Sequence, residues 1–235
     1  MTSSLKKVII GIVQRDFPIH EKTWSAINTL PCGAIVIDAS EKQIIQPTNR
    51  VSVFHKPDDR GFFAIALLVP LFREFLRTDG EVLFLIEGDL VPTVENIDQA
   101  QRVETNTKIL YQEAEPEHLH AYIRREGLAG VILRSEVERM YGWMFMQPYD
   151  RFRHYEGYCD TYLWTAVSSE TTGYNVDTSG PDWIKVLHMT HDDATRVTKK
   201  QRLNMKVYRA RHAAVTQLAL ECNRHNNSGF IDAAI

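Results

Sequence analysis

The sequence predicts an α/β protein built on a mostly parallel central sheet with helices covering its faces. Three observations lead there. Short runs rich in Val, Ile and Leu recur early in the chain and are apolar throughout rather than alternating, the pattern of strands buried on both faces. Segments of helical character separate them, as in βαβ units. Hydrophobic residues make up 44% and charged residues 24% of the 235, which supplies a core for one fairly large domain or a domain with an appended helix.

The elements follow in order. Lys6 to Gln14 reads as a buried parallel strand, and His20 to Leu30 as a helix after the Phe17-Pro18 break. Gly33 to Asp38 and Arg50 to His55 are the second and third strands, and Pro57 to Gly61 is a polar, turn-rich loop. Phe62 to Arg77 reads as a helix packed on the sheet, kinked or broken near Pro70 because proline removes a helical hydrogen bond. Glu81 to Ile86 is a fourth strand, apolar after its first residue and therefore central, and Val94 to Gln101 is a short helix.

The second half is less regular. Strands are expected at Lys108 to Gln112, Gly130 to Arg134 and Trp183 to His188, with helices at Glu117 to Glu126, Glu136 to Tyr141 and Asp160 to Ser168. Val197 to Cys222 reads as a long helix with one apolar stripe through Leu203, Val207, Ala210, Ala214 and Leu218.

Composition excludes several classes. No apolar run approaches the ~18 residues of a membrane span, and no signal-peptide pattern opens the chain, so a cytoplasmic protein is expected. Three scattered cysteines, Cys32, Cys159 and Cys222, give neither a disulfide framework nor a CxxC metal site. The net charge of -3 points to no partner, but Arg196 to Arg211 holds seven Lys or Arg and no acid. Lys199, Lys200, Arg202, Lys206 and Arg209 form either a solvated helix face or a surface for a polyanionic acceptor such as a modified nucleic acid.

The most informative segment is Phe84-Leu85-Ile86-Glu87-Gly88-Asp89. A buried strand delivers two carboxylates to its C-terminal end, the edge where open α/β sheets bind ligands. Hard divalent cations, Mn²⁺ or Mg²⁺, take such oxygens and share them with substrate phosphates. Continued strand alternation would turn Glu87 and Asp89 to the same side, and Gly88 would let a nucleotide approach the backbone. Alone, the same segment also reads as a solvated acidic turn.

The order of segments resembles the GT-A glycosyltransferases, especially the large inverting, family-two-like group, over roughly Lys6 to Thr195. KVIIGIVQR looks like the family's nucleotide-binding start, and GAIVID ends in Asp38, where such enzymes hold the base or ribose of the donor. FLIEGD stands where the family has its DXD motif. Gly130 to Gly142 resembles the acceptor-side strand and helix, and Glu156 to Val176 resembles the family's acidic motif. WIKVLHMTH resembles the late strand whose histidine completes the metal site, with His188 the better match and His191 the reserve.

The resemblance implies a transferase domain over 1–195, with a nucleotide-sugar-binding half (1–107) and an acceptor and catalytic half (108–195), then a basic amphipathic helix and tail (196–235). It implies a nucleotide-sugar donor, a divalent cation on Asp89 and Glu87 with His188 or His191, and a catalytic base at Asp160. Two departures stand out. Glu87 replaces the first acid of the motif with a longer side chain, and Cys159 stands where many relatives carry an acid, leaving the base open between Asp160 and Glu156. Each residue keeps an ordinary alternative: Asp160 as a helix N-cap, His188 as a histidine satisfied at a strand end, Asp38 as a turn acid. Arg60 offers a guanidinium suited to a diphosphate or is a surface loop arginine. Aromatic residues from Tyr141 to Trp164 suit an acceptor sugar and suit a core equally well.

A sugar-1-phosphate nucleotidyltransferase would carry a Gly-rich, basic signature after the first strand, where this chain reads GIVQRDFP. A dinucleotide-binding dehydrogenase lacks its GxGxxG here. An inactive sugar- or nucleic-acid-binding module on the same fold is the rival from another class.

Overall fold

The computed structural model describes residues 5–15, 18–57, 65–113, 128–148, 151–152, 159–168, 184–189 and 205–225. The first half runs β1 (Val8–Gln14), α1 (Glu21–Thr29), β2 (Gly33–Asp38), β3 (Val51–His55), a 3-10 turn (Ile65–Leu67), α2 (Leu68–Leu76) and β4 (Val82–Ile86). A two-residue strand, β5 (Leu90–Val91), and α3 (Val94–Ala100) follow. The second half supplies β6 (Thr107–Glu113), β7 (Gly130–Leu133), α4 (Arg134–Met146), α5 (Cys159–Ser168), β8 (Ile184–His188) and α6 (Met205–Arg224).

The eight strands lie in the order β3-β2-β1-β4-β7-β6-β8-β5. β1 pairs in parallel with β2 and β4, and β2 with β3. β7 is antiparallel to both β4 and β6, β6 and β8 are parallel, and β5 runs antiparallel to β8 at the edge. The sheet is thus mostly parallel and flanked by helices. The chain leaves β1 toward β2 and β3 and then returns to the other side of β1 with β4. Such a reversal opens a crevice at the carboxyl ends of the two strands.

The continuous apolar runs are explained by burial on both faces. Ile9, Val13, Ile35, Ile37, Leu83 and Leu85 pack beneath α2, α4, α5 and α6. Ile10, Ile12, Ala34, Val36, Phe84 and Ile86 face α1 and α3. Each fully buried aliphatic side chain of this kind contributes about 1.5–3 kcal/mol, which is why strands without a polar face pair here rather than at an edge. Arg134, at the start of α4, locks the crossover. Its guanidinium donates to the carbonyls of Leu76, Thr78 and Gly80 at 2.7, 3.0 and 2.9 Å. Carbonyls at and beyond the end of α2 that would otherwise lack partners are met by a cation.

Three elements differ from the sequence expectation. Pro70 does not interrupt α2; it lies in the helix's first turn, where a missing N–H forfeits no intrahelical bond, and the expected break falls just ahead of it, where the 3-10 turn gives way to α2. α4 runs on through Gly142 to Met146, because Tyr141, Trp143 and Met144 around that glycine are all buried in the core, and their burial outweighs the cost of a helical glycine. On α6 the buried row is Val215, Leu218, Ala219 and Cys222, while Ala210 and Ala214 are exposed. The helix turns Val215, Leu218 and Cys222 inward with Ala219 and leaves Ala210 and Ala214 in solvent, where they forfeit little burial; Leu203 and the side chain of Val207, also expected in the stripe, lie outside the described residues. The expected helix at Glu117 to Glu126 and the loop residues 58–61 lie outside the described residues. Among the described residues, no helix is long and apolar enough to cross a membrane.

Candidate functional site

β4 ends at Ile86, and the chain turns at once: the N–H of Leu90 donates to the carbonyl of Glu87 at 3.1 Å. Strand alternation therefore stops before the two acids, and Glu87 and Asp89 occupy different places in a tight turn. Glu87 reaches across the sheet, where its Oε1 accepts the backbone N–H of Leu128 at 3.0 Å, just ahead of β7. Asp89 ends the turn, immediately before the short strand β5.

Gly88 faces the end of β1. A Cβ built on it would lie 2.4 Å from Oε1 of Gln14, so a side chain at this position would displace the Gln14 amide. The Gly88 carbonyl accepts the N–H of His20 at 2.8 Å. His20 is the N-cap of α1, its Nδ1 accepting from the N–H of Lys22 at 3.2 Å. The carboxyl ends of β1 and β4 and the start of α1 thus meet around one glycine, at the reversal of strand order.

β8 brings the third component. Leu90 of β5 is opposite His188 of β8, and the N–H of Met189 donates to the carbonyl of Asp89 at 2.9 Å. This pairing sets the Asp89 carboxylate 3.4 Å from Nε2 of His188, with the two side chains 13% and 11% exposed. α3 fixes the register from behind. Thr93 and Asn96 form a reciprocal capping box at its start, worth about 1 kcal/mol, and Nδ2 of the same Asn96 donates to the Lys185 carbonyl in β8 at 2.9 Å.

Two donors bound to one Mn²⁺ or Mg²⁺, at bonds of about 2.1 Å and near-octahedral angles, lie ~3 Å apart. The observed separation needs only a small side-chain adjustment to reach that value. A carboxylate beside an imidazole suits Mn²⁺ better than Mg²⁺, which prefers oxygen alone. Among the described residues, no group of three or more His, Cys, Asp or Glu could hold a metal ion. Asp89 and His188 would supply two donors to such an ion, and water or a substrate phosphate would have to supply the rest.

Asp38, at the end of β2, is wholly buried. Its Oδ1 accepts the N–H of Ser40 at 3.1 Å, and its Oδ2 accepts those of Ile44 and Ile45 at 2.8 and 3.1 Å. Burial pushes its carboxyl up, but the Ser40 hydroxyl and these N–H groups together outweigh that and hold it below the ordinary value. Asp38 ties the loop from Ser40 to Ile45 at the rim of the crevice.

Asp160 is the second residue of α5, one step inside the helix rather than at its cap, where an acid is also favourable. Arg60, Glu156, His191, Lys199, Lys200 and Arg202 lie outside the described residues, and Lys206 and Arg209 are in the first turns of α6. Sequence reasoning missed Gln14 and His20. The available signal was positional: Gln14 ends the first central strand, and His20 opens the first helix, both at the sheet edge where ligands gather.

No protein-family model matches the sequence, and no curated protein matches it. Among solved structures, the crystal structure of a Mycobacterium tuberculosis rv0371c homolog from Mycobacterium sp. strain JC1 aligns with 90% of this chain and 98% of its own, at 13% identity and a TM-score of 0.44. A structure described only as that of a mycobacterial protein aligns with 95% of this chain and 77% of its own, at 12% identity and a TM-score of 0.45. Likenesses at this level carry no argument about activity.

Proposed function

We propose that the chain is a metal-dependent glycosyltransferase of the GT-A type, moving a sugar from a nucleoside-diphosphate sugar to a hydroxyl of a saccharide acceptor with inversion. The observation that carries the reading is the Asp89–His188 pair, set 3.4 Å apart beside the reversal of strand order. A divalent cation bound there supplies positive charge to the departing diphosphate.

The chain's own residues do the rest. Asp89 and His188 hold the cation, and Glu87 positions the turn through Leu128 rather than binding the metal directly. Gly88, lacking a side chain, lets the Gln14 amide sit at the end of β1 beside the nucleotide. Asp38 shapes the loop that walls the nucleotide, and Arg60, whose guanidinium suits a diphosphate, would have the role of pairing with its phosphates. Asp160, presented at the start of α5, accepts the proton of the attacking hydroxyl, with Glu156 as the alternative base. A base on the far side of the sugar from the leaving group produces inversion.

The test is donor hydrolysis across a panel of UDP-, GDP-, CMP- and dTDP-sugars with Mn²⁺, Mg²⁺ or EDTA. Release of one nucleotide with Mn²⁺, lost in EDTA and in Asp89→Ala, is expected. Neither hydrolysis nor nucleotide-dependent thermal stabilisation under any condition would leave a binding module in its place.

A further inference from the structure

On the face of the sheet that carries α2 and α4, a cleft of about 480 Å³ opens between the two helices, within the size range of small-molecule pockets. Leu67, Val69 and Pro70 form one wall, and Met144, Phe145 and Phe152 the other. Ring packing fixes these walls. Phe152 is 1% exposed and packs edge-on against Trp143 at 5.8 Å, and Phe145 stands 6.0 Å from the Tyr141 ring. Phe145 nevertheless leaves 56% of its surface in solvent, a large apolar ring exposed at the cleft.

Among the described residues, the titratable lining of the cleft consists of Lys56, Arg73 and the Tyr141 phenol, with no Asp or Glu. Arg73 is held in place by an ion pair with Glu74. Its Nε and Nη2 donate to Oε1 of Glu74 at 2.9 and 2.6 Å, and the same carboxylate is shared with Arg77 Nη1 at 3.2 Å. One buried acid thus serves two guanidinium groups and leaves a positive excess behind the cleft. Lys56, exposed after β3, adds a second positive charge. A flat apolar slot with a cationic rim matches a ligand with an apolar body and one anionic group.

We propose that this cleft binds a small amphipathic anion, an aromatic or short aliphatic body bearing a single carboxylate, phosphate or sulfonate. Apolar burial between α2 and α4 holds the body, and Lys56 and Arg73 select the charge. The site needs neither metal nor nucleotide and is independent of the transferase reading.

The experiment titrates the full chain, without metal or nucleotide, with 8-anilinonaphthalene-1-sulfonate and with the neutral N-phenyl-1-naphthylamine, following fluorescence. Two variants accompany the wild type: Lys56→Glu, on the surface, and Val69→Trp, which fills the slot. Circular dichroism and thermal unfolding confirm that each is folded. The expected result is saturable one-to-one binding of the sulfonate, weakened about tenfold by Lys56→Glu and lost in Val69→Trp. The neutral dye should bind more weakly and ignore the Lys56 change. No saturable binding, sulfonate binding that survives both substitutions, or equal binding of the neutral dye would each overturn the proposal.

Discussion

The Asp89 carboxylate lies 3.4 Å from Nε2 of His188, although the two residues come from opposite halves of the chain. The contact is made by a two-residue strand: Leu90 pairs with His188, and Asp89 accepts the next N–H along β8. What holds it is indirect, since Asn96 both caps α3 and donates to β8 at Lys185.

Asn96→Ala should therefore loosen two things at once. The bond from the Thr93 N–H and the bond to β8 are lost, while the Thr93 hydroxyl keeps the backbone N–H of residue 96, for a cost of about 2 kcal/mol, readable by urea unfolding. Mn²⁺ affinity should fall as well, although Asn96 is no ligand. Unchanged metal affinity at reduced stability would show that β8 keeps its register without α3.

Gly130→Ala tests the packing of α5 on the sheet. A Cβ there would lie 2.0 Å from Cη2 and 2.1 Å from Cζ2 of Trp164 and 3.0 Å from the Thr107 carbonyl. An indole ring cannot yield as a flexible chain end would, so the expected loss is about 2–3 kcal/mol, with a changed Trp emission spectrum. A wild-type melting curve would contradict the close packing of Trp164.

Asp38 gives a pH signature. Its folded-state pKa is lowered, the hydrogen bonds from Ser40, Ile45 and Ile44 outweighing burial. The stability it contributes is therefore present above the ordinary carboxylate range and is lost as pH falls through the depressed value. Asp38→Asn should destabilise at neutral pH by about 1–3 kcal/mol. The difference from wild type should shrink in acid, as the native carboxyl protonates. A constant difference across the acid range would assign the loss to shape rather than charge.

Cys32 should be a poor nucleophile. Burial pushes its thiol up to about 11, against a smaller lowering by Arg50. Alkylation by iodoacetamide near neutral pH, mapped by mass spectrometry, should run at least ~10-fold slower than for an ordinary thiol, and should recover on unfolding. Fast labelling of Cys32 in the folded protein would contradict the raised thiol pKa.

Much of the fold was legible because buried parallel strands announce themselves: β1, β2 and β4 are nearly unbroken β-branched or leucine runs. The α6 stripe was misread because the expected row shared Leu218 with the true one and periodicity alone does not weigh Val215 and Cys222 against two alanines. Pro70 looked like a break because its place in the helix depends on where the preceding turn ends. At the site, Asp89 and His188 were visible as residue types at strand ends. Their meeting was not, since β5 is too short to leave a pattern and its partner is far along the chain. Glu87 was paired with Asp89 by strand alternation, which the turn at Gly88 interrupts. Gln14 and His20 act at the crevice through proximity and backbone bonds to Gly88, and those follow from the adjacency of β1 and β4.

The most direct test of the proposed metal centre is a Mn²⁺ titration followed by electron paramagnetic resonance, with and without UDP and GDP, on wild type, Asp89→Ala, His188→Ala and the double variant. Binding of one Mn²⁺ that tightens with a nucleoside diphosphate is expected, with each single substitution costing at least ~10-fold and the double costing little more than either. Mn²⁺ affinity indifferent to both substitutions would remove the cation from Asp89 and His188, and the transferase mechanism with it.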